Sequence, residues 1–428
     1  MEYNVVRLEA ATSSEHLRAL EEVKNFRTTD LGRGGKDRWT YRLLPESALD
    51  IELQRRSVLR STSFVDSITF QPCTAHTSPN QDRYCTEEWD LQDGIWRFSA
   101  IYDGHCGLDT VNFVHGQLPA MIRMSLQVLL SKYQSSAVAP ELVSETISHS
   151  IQHLDNSIRA DLFDLLPCDQ LESMSDFEFN RLTKQQSCRW ATISARCTQG
   201  STIILALSDP QRRNLWVANL GDSQAVLVQK GTDWTGTILN SLHNCDNPAE
   251  LQRILREHPG ERECIWDNRV IGYLAPTRAV GDTWLKVPST YTHRAFAKHN
   301  PKWISPPLLA DYAGRILSPP YVSNVPDLYH LTLDNDRETF LILCSDGLLD
   351  LYGSSGGQSS TQVLANKWAK IISRSLVHSG KATGNLAFYL LRDAIGGSDV
   401  SLVSQNLTLE MDEKWMDDVT ILVQRLIE

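Results

Sequence analysis

The chain has 428 residues, 41% apolar and 22% charged, with a formal net charge of -11. This composition supports a sizeable core and excludes an intrinsically disordered chain. The acidic balance argues against nucleic acid as the main partner, since binding a phosphate backbone calls for clustered Lys and Arg.

The length fits one large catalytic domain, expected over residues 56–428, behind an extension over residues 1–55. Within the extension, Glu15 to Val23 has the spacing of a short amphipathic helix, and Leu31 to Asp37 is a Gly-rich, basic loop. The N-terminus carries no apolar signal core and its acidic residues fit a transit peptide poorly. No apolar run approaches the roughly 20 residues of a membrane helix. A cytoplasmic protein without a membrane partner is therefore expected. RRSVLRSTS, from Arg55, reads as a kinase target or an ordered tether.

Strands are expected at WRFSAIYD up to Asp103, STIILAL from Ser201, NLWVANL to Leu220, QAVLVQ to Gln229, TFLILCSD to Asp346, and DVTILVQRL near the end. Runs of about five to eight residues rich in Val, Ile, Leu and aromatics favour strand over helix. Between them, Val111 to Tyr133 reads as a helix kinked at Pro119. Ile147, Ile151, Leu154, Ile158 and Leu162 place one apolar stripe on a second helix. Asn247 followed by Pro248 reads as an N-cap with Pro at the first helical position. Ser354 to Ser360, SSGGQSS, reads as a loop. NLWVANL and QAVLVQ are separated only by GDS, so an antiparallel pair is expected there. The whole points to antiparallel sheets packed on each other with helices outside.

Chemistry concentrates at strand ends. In YDGHCG, Tyr102 to Gly107, a buried strand ends in Asp103, followed by Gly104 and His105. A DGH triplet alone is most simply a turn. A second strand, however, ends in Asp346 and Gly347, and Asp417 with Asp418 opens the last strand. NQDR contributes Asp82 and GDS contributes Asp222. Carboxylates gathered in one cleft repel unless cations compensate them, and the fitting occupants are the hard, oxygen-preferring Mg²⁺ or Mn²⁺.

Nine cysteines, an odd number without a CxxC pair, indicate neither a disulfide framework nor a zinc site. No cysteine has an Arg six residues downstream, which argues against a cysteine-nucleophile phosphate loop. His149 and His153, four apart on a helix, have no third ligand nearby and belong on a solvated face. Arg278 in TRAVGD reads as a structural ion-pair partner. Gly200, Gly221, Gly272 and Gly281 read as turn or close-packing positions.

In order and wording, NQDR, YDGHCG, GST at Gly200, VANLGDSQAVL, LAPTRAVGD, LCSDGLLD and DDVTILV resemble the type 2C, or PPM-type, metal-dependent protein phosphatases, from about Ser78 to the C-terminus. Finer details, such as LHNCDNPAELQRILREHP and DD at the last ligand, look most like the pyruvate dehydrogenase phosphatase branch. The resemblance implies an α+β fold, a four-layer αββα sandwich of two antiparallel sheets flanked by helices. It implies a monomeric phosphatase acting on phosphoserine and phosphothreonine in a phosphoprotein substrate. Carried over by position, Asp103 bridges two metals and the Gly104 carbonyl binds one of them. Asp346 and Asp417 hold the other, Asp82 acts through bound water, and Asp222 with Asp346 takes a weaker third metal. A hydroxide activated between the metals attacks phosphorus, and His105 protonates the departing oxygen. The branch resemblance makes a mitochondrial location the alternative to a cytoplasmic one. Gln81 stands where the family has Glu, Cys106 where it has Gly or Ala, and Leu242 where Asp often precedes the His. The Arg that many relatives carry upstream is absent from TAHTSPNQ. Gln81 and Leu242 support a second expectation, a catalytically weakened relative that binds phosphoproteins as a regulator. A two-metal nuclease is disfavoured by the acidic balance.

Overall fold

The computed structural model describes residues 12, 14, 18, 23–73, 79–133, 138–297, 304–353, 358–377 and 384–427. Most of the stretch from Glu15 to Val23, and Ser354 to Gly357, lie outside the described residues. Two compact units are formed. The smaller comprises Met1–Val58, Gln71–Pro79 and Arg392–Asp417; the larger comprises Leu59–Phe70, Asn80–Leu391 and Asp418–Glu428.

In the smaller unit, β1 (Phe26–Thr29) and β2 (Trp39–Arg42) pair antiparallel, and the Gly-rich loop joins them as expected. Helix α1 (Glu46–Arg56) buries Leu49 and Leu53. The helix Val400–Thr408 is capped by Asp399, whose side chain accepts from the Leu402 amide. It is tied to the β2 region by Tyr41 Oη with Ser401 Oγ at 2.9 Å and by Leu44 N donating to Ser404 Oγ at 3.0 Å.

The RRSVLRSTS segment is ordered. It forms the end of α1 and β3 (Ser57–Ser61).

The larger unit holds both main sheets. Its strands are β4 (Val65–Phe70), β5 (Arg83–Leu91), β6 (Gly94–Tyr102), β7 (Gly104–His105), β8 (Gly200–Ser201), β9 (Ile203–Ser208), β10 (Asn214–Leu220), β11 (Gln224–Lys230), β12 (Trp234–Ile238), the small hairpin β13 (Ile265–Trp266) and β14 (Arg269–Val270), β15 (Val280–Gly281), β16 (Asp327–Thr332), β17 (Thr339–Cys344) and β18 (Val419–Ile427). One sheet runs β16-β10-β9-β6-β5, the other β12-β11-β17-β18-β4-β3, and β15-β8-β7 form a short third. The main sheets are antiparallel throughout the pairings described.

Alternation along the strands divides the core into two layers. Ile101, Ile204, Ala206, Leu215 and Val217 face inward and meet Leu227, Leu343 and Leu422 of the other sheet. Their neighbours Ala100, Ile203, Leu205, Trp216 and Ala218 point the other way, into a second core with the helices. That second core takes in α2 (Asp109–Lys132) and α3 (Pro140–Leu165), whose buried residues include the expected Ile147, Ile151, Leu154, Ile158 and Leu162. Helix α4 (Ser187–Thr198) adds Trp190, Ile193 and Cys197. Pro119 lies inside α2, which continues through it as one helix. His149 and His153 face solvent, as their spacing without a third ligand indicated.

Two expectations need correction. NLWVANL and QAVLVQ do not pair: β10 sits in one sheet and β11 in the other. The GDS link is a crossing between sheets, opened by Gly221 at φ 128, a conformation available at little cost only to glycine. Gln358 to Ser360, read as part of a loop, begin a 20-residue helix, Gln358–Val377, packed on the outer face of β11 and β12. Asn247 caps α5 (Pro248–Glu257) as expected, its side chain accepting from the Ala249 amide at 3.0 Å.

These contacts rank two substitutions. Ile204→Ala in the inter-sheet core is expected to destabilise by about 2–5 kcal/mol, and Asn247→Ala by about 1 kcal/mol. Urea unfolding followed by tryptophan fluorescence measures both; equal losses would mean that the two sheets are not tightly packed at Ile204.

Candidate active site

Strand register brings the acidic residues to one edge. Arg83 pairs with Tyr102 across β5 and β6, so the preceding Asp82 and the following Asp103 are neighbours beyond the last pair. In the other sheet Gln224 pairs with Cys344, which brings Asp222 and Asp346 to the corresponding edge of β11 and β17. Asp346 is not itself the strand end: β17 stops at Cys344, and Asp346 opens the short helix Asp346–Asp350 behind Ser345.

Ser345 couples the two sheets. Its hydroxyl donates to Asp82 Oδ2 at 2.8 Å and accepts from the Thr420 amide at 2.9 Å. The Asp103 carbonyl accepts from Thr202 N at 2.8 Å, which fixes the end of β6. Gly104 leaves no room for a side chain, because a Cβ would lie 2.8 Å from both the Gln81 carbonyl oxygen and Val111 Cβ. The buried Cys344 thiol is pushed well above its ordinary range, first by desolvation and then by the charges of Asp346 and Asp82.

Gln81 has two structural bonds. Its amide N–H donates to Asp418 Oδ2 at 2.8 Å, and its side-chain Oε1 accepts from Gly107 N at 3.1 Å. Asp418 is buried. Asp417, one peptide bond away, is the last residue of the smaller unit; it is exposed and lies 3.1 Å from Lys414 Nζ.

Among the described residues, no group of three or more His, Cys, Asp or Glu side chains is arranged to hold a metal ion. The donor set nevertheless fits a hard divalent cation: carboxylate and carbonyl oxygens only, on adjacent strand ends, with a glycine where backbone must come close.

His105 is held by a residue that the motif reading passed over. In the short sheet, Gly104 and His105 pair with Ser201 and Gly200, which pair in turn with Val280 and Gly281. Asp282, next in line, is fully buried, and its Oδ2 lies 2.8 Å from His105 Nε2. A Cβ on Gly200 would fall 2.1 Å from both of those atoms. The signal was in LAPTRAVGD, where an acidic residue follows glycine as in GDS, but nothing local to it shows that it meets His105. Cys106, at φ 63, places Sγ 2.9 Å from Tyr273 Oη. Burial, assisted by the nearby Asp282 charge, pushes its pKa up to about 12, the property of an inert thiol.

Arg278 is a structural ion-pair partner, as expected. It binds Glu250 through Nη2 at 2.6 Å and Asp327 through Nη1 at 2.8 Å. Asp327 meets His243 Nε2 at 3.0 Å, and His243 Nδ1 accepts from Gly221 N at 3.1 Å. The network thus runs from α5 to the backbone beside Asp222. Burial alone would raise the Glu250 pKa, but hydrogen bonds from Arg278, Arg253 and Thr277 outweigh it and hold it well below the usual carboxylate range.

The sequence profile described as Protein phosphatase 2C matches residues 72–385, so the chain belongs to that family. Asp417 lies outside the matched span. A protein phosphatase 2C homolog of Schizosaccharomyces pombe is 28% identical over 78% of this chain and 74% of its own length. The human mitochondrial [pyruvate dehydrogenase [acetyl-transferring]]-phosphatase 2 is 29% identical over 71% of this chain and 58% of its own length. Among solved structures, a C. elegans sex determining protein superposes with a TM-score of 0.51 at 15% identity, covering 86% of this chain and 66% of that one, a likeness in fold alone. The two main antiparallel sheets with their many helices are thus an α+β fold of the protein phosphatase 2C kind, as the motifs implied.

A depressed carboxylate pKa contributes stability that is present above the unfolded-state value, about 4.3 for Glu, and is lost as pH falls through the lower folded value. Wild-type protein should therefore lose stability below about pH 4, and Glu250→Gln, though less stable at pH 7, should show a shallower acid limb. Urea midpoints from pH 2 to 7 test this; parallel acid limbs would exclude Glu250 as a contributor.

Proposed function

We propose that the chain is a metal-dependent phosphatase of phosphoserine and phosphothreonine in protein substrates. The observation that carries this reading is that strand register sets Asp82 beside Asp103 and brings Asp222 and Asp346 just beyond the last pair of β11 and β17, with Ser345 bonded to Asp82. Asp82, Asp103, Asp222 and Asp346, with the Gly104 carbonyl, would hold Mg²⁺ or Mn²⁺. When bound, such ions supply Lewis acidity and an activated water as nucleophile.

The residues of the chain supply the rest. A Ser or Thr alkoxide is a poor leaving group, so a proton must reach its oxygen as the bond to phosphorus breaks. His105 carries that proton. With Nε2 paired to Asp282, the proton leaves from Nδ1, and the Asp282 carboxylate stabilises the charged ring and fixes its orientation, the role that a buried acid plays behind a catalytic imidazole.

The substrate protein is left at the level of a phosphoprotein. The S. pombe homolog and the human pyruvate dehydrogenase phosphatase match at 28% and 29% identity, and a pyruvate dehydrogenase phosphatase of Saccharomyces cerevisiae at 28%, so similarity does not single out a branch. Gln81 supports activity rather than a binding-only role. Its neutral amide oxygen still makes the bond to Gly107 N, and the paired Asp residues remain.

Phosphate release from a phosphothreonine peptide is expected with Mn²⁺ or Mg²⁺ and is expected to cease with EDTA. Asp103→Asn should lower kcat by roughly 100-fold or more, since a Lewis-acid contribution is worth several kcal/mol. Folded wild-type protein that releases no phosphate in any divalent metal, yet retains the phosphopeptide, would establish the binding regulator instead.

A further inference from the structure

We propose that a buried ion pair remote from the reacting groups, Asp155 with Lys286, positions His105 by fixing Asp282; the proposal rests on the reading of His105 as the leaving-group acid. Asp155 lies on α3 and is 2% exposed. Its Oδ1 accepts from Gly281 N at 2.9 Å and from Lys286 Nζ at 2.7 Å, and its Oδ2 accepts from Asn324 Nδ2 at 2.9 Å. Lys286 Nζ also donates to the Ala279 carbonyl at 2.8 Å. The pair therefore grips the segment on both sides of Asp282, at Ala279 and Gly281 before it and at Lys286 after it.

Asp282 needs such a grip. Its φ of 45 lies in the left-handed region, which a residue with a Cβ seldom adopts and which persists only where the surroundings dictate it. Its amide donates to the Gln199 carbonyl at 2.8 Å, so the backbone is held while the carboxylate projects to His105. Released from this geometry, the side chain would swing away from the imidazole, because the space over Gly200 is shaped for these two groups.

Energetics point the same way. Both charged side chains are nearly inaccessible, at 3% and 2%. Taking two ions out of water is costly, and apolar residues of equal volume generally serve stability as well or better. What an apolar pair cannot do is accept from Gly281 N and donate to the Ala279 carbonyl together.

The test uses full-length protein and two substrates. A phosphothreonine peptide needs its leaving oxygen protonated, whereas p-nitrophenyl phosphate expels a stable phenolate and needs no acid. Lys286→Met, Asp155→Asn and the double variant Asp155→Asn/Lys286→Met are compared with His105→Ala, with melting curves for each. The double variant leaves no unpaired buried charge and should keep more of its stability than either single change. Asn324→Ala, which removes the bonds to Asp155 Oδ2 and Asn156 Oδ1 but no charge, is the mild member of the series.

The expected result is a kcat loss on the peptide of about 10- to 100-fold, the scale of a small misplacement of a reacting group, with KM little changed and p-nitrophenyl phosphate turnover within about threefold. The double variant should keep this selective loss despite its recovered melting temperature, and Asn324→Ala should show it weakly. Equal losses on both substrates, or recovery of activity together with stability, would reduce the pair to a structural element and overturn the proposal. If His105→Ala itself shows no preference between substrates, the acid assignment fails instead. Imidazole ¹⁵N spectra then decide the positioning claim separately: a displaced His105 signal in Lys286→Met and Asn324→Ala supports it, and an unmoved signal in both refutes it.

Discussion

Neighbouring carboxylates repel one another, and strand register in the larger unit of this protein sets two pairs of acidic residues just beyond the last paired strand residues. Register alone dictates this: pairing Arg83 with Tyr102, and Gln224 with Cys344, leaves Asp82 beside Asp103 and Asp222 near Asp346. The strands cannot slip to relieve the repulsion, because a one-residue shift would turn every inward Ile, Leu and Val to the wrong face. The apolar core between the sheets thus holds in place an arrangement that the charges alone would disperse. Under the proposed metal-dependent reading, the gain on binding cations there would include relief of that repulsion.

The polar network around this edge follows from the same constraint. Ser345, between the sheets, donates to Asp82 while accepting from Thr420, so the strand bearing one acidic pair is bonded to the other. His243 plays a comparable part where the chain crosses from β10 to β11, receiving the Gly221 amide and passing the connection to Asp327 and Arg278. Leu242, read against a common Asp, is therefore less informative than its neighbour: the histidine makes the contacts, and the residue before it contributes its carbonyl to Asn247.

Much of this was legible in the sequence. Dense apolar runs mark β6, β9, β10, β11, β17 and β18, and the stripe from Ile147 to Leu162 marks α3, because burial imposes a period that composition records. The acidic residues could be picked out because each follows or precedes such a run. Sheet membership was not legible. A three-residue link such as GDS is equally compatible with a hairpin and with a step between layers, and only the competition among all strands for partners decides. Asp282 escaped for a related reason: its importance arises from a three-strand meeting of β7, β8 and β15, segments of two residues each, too short to leave a hydrophobic pattern.

Gln81 shows how far a departure from a family pattern can be interpreted once the contacts are known. A carboxylate at this position would add negative charge to an edge already crowded with it and would draw a cation more strongly. The amide gives up that charge but preserves the hydrogen bond to Gly107 N, and its own backbone N–H still anchors Asp418. Under the proposed metal-dependent reading, the residue separates two contributions that a glutamate combines: the bond to Gly107 N beside His105 is kept, while the attraction for a cation would be reduced. Weakened metal affinity with intact geometry differs from loss of function, since a higher cation concentration compensates the first and cannot restore the second.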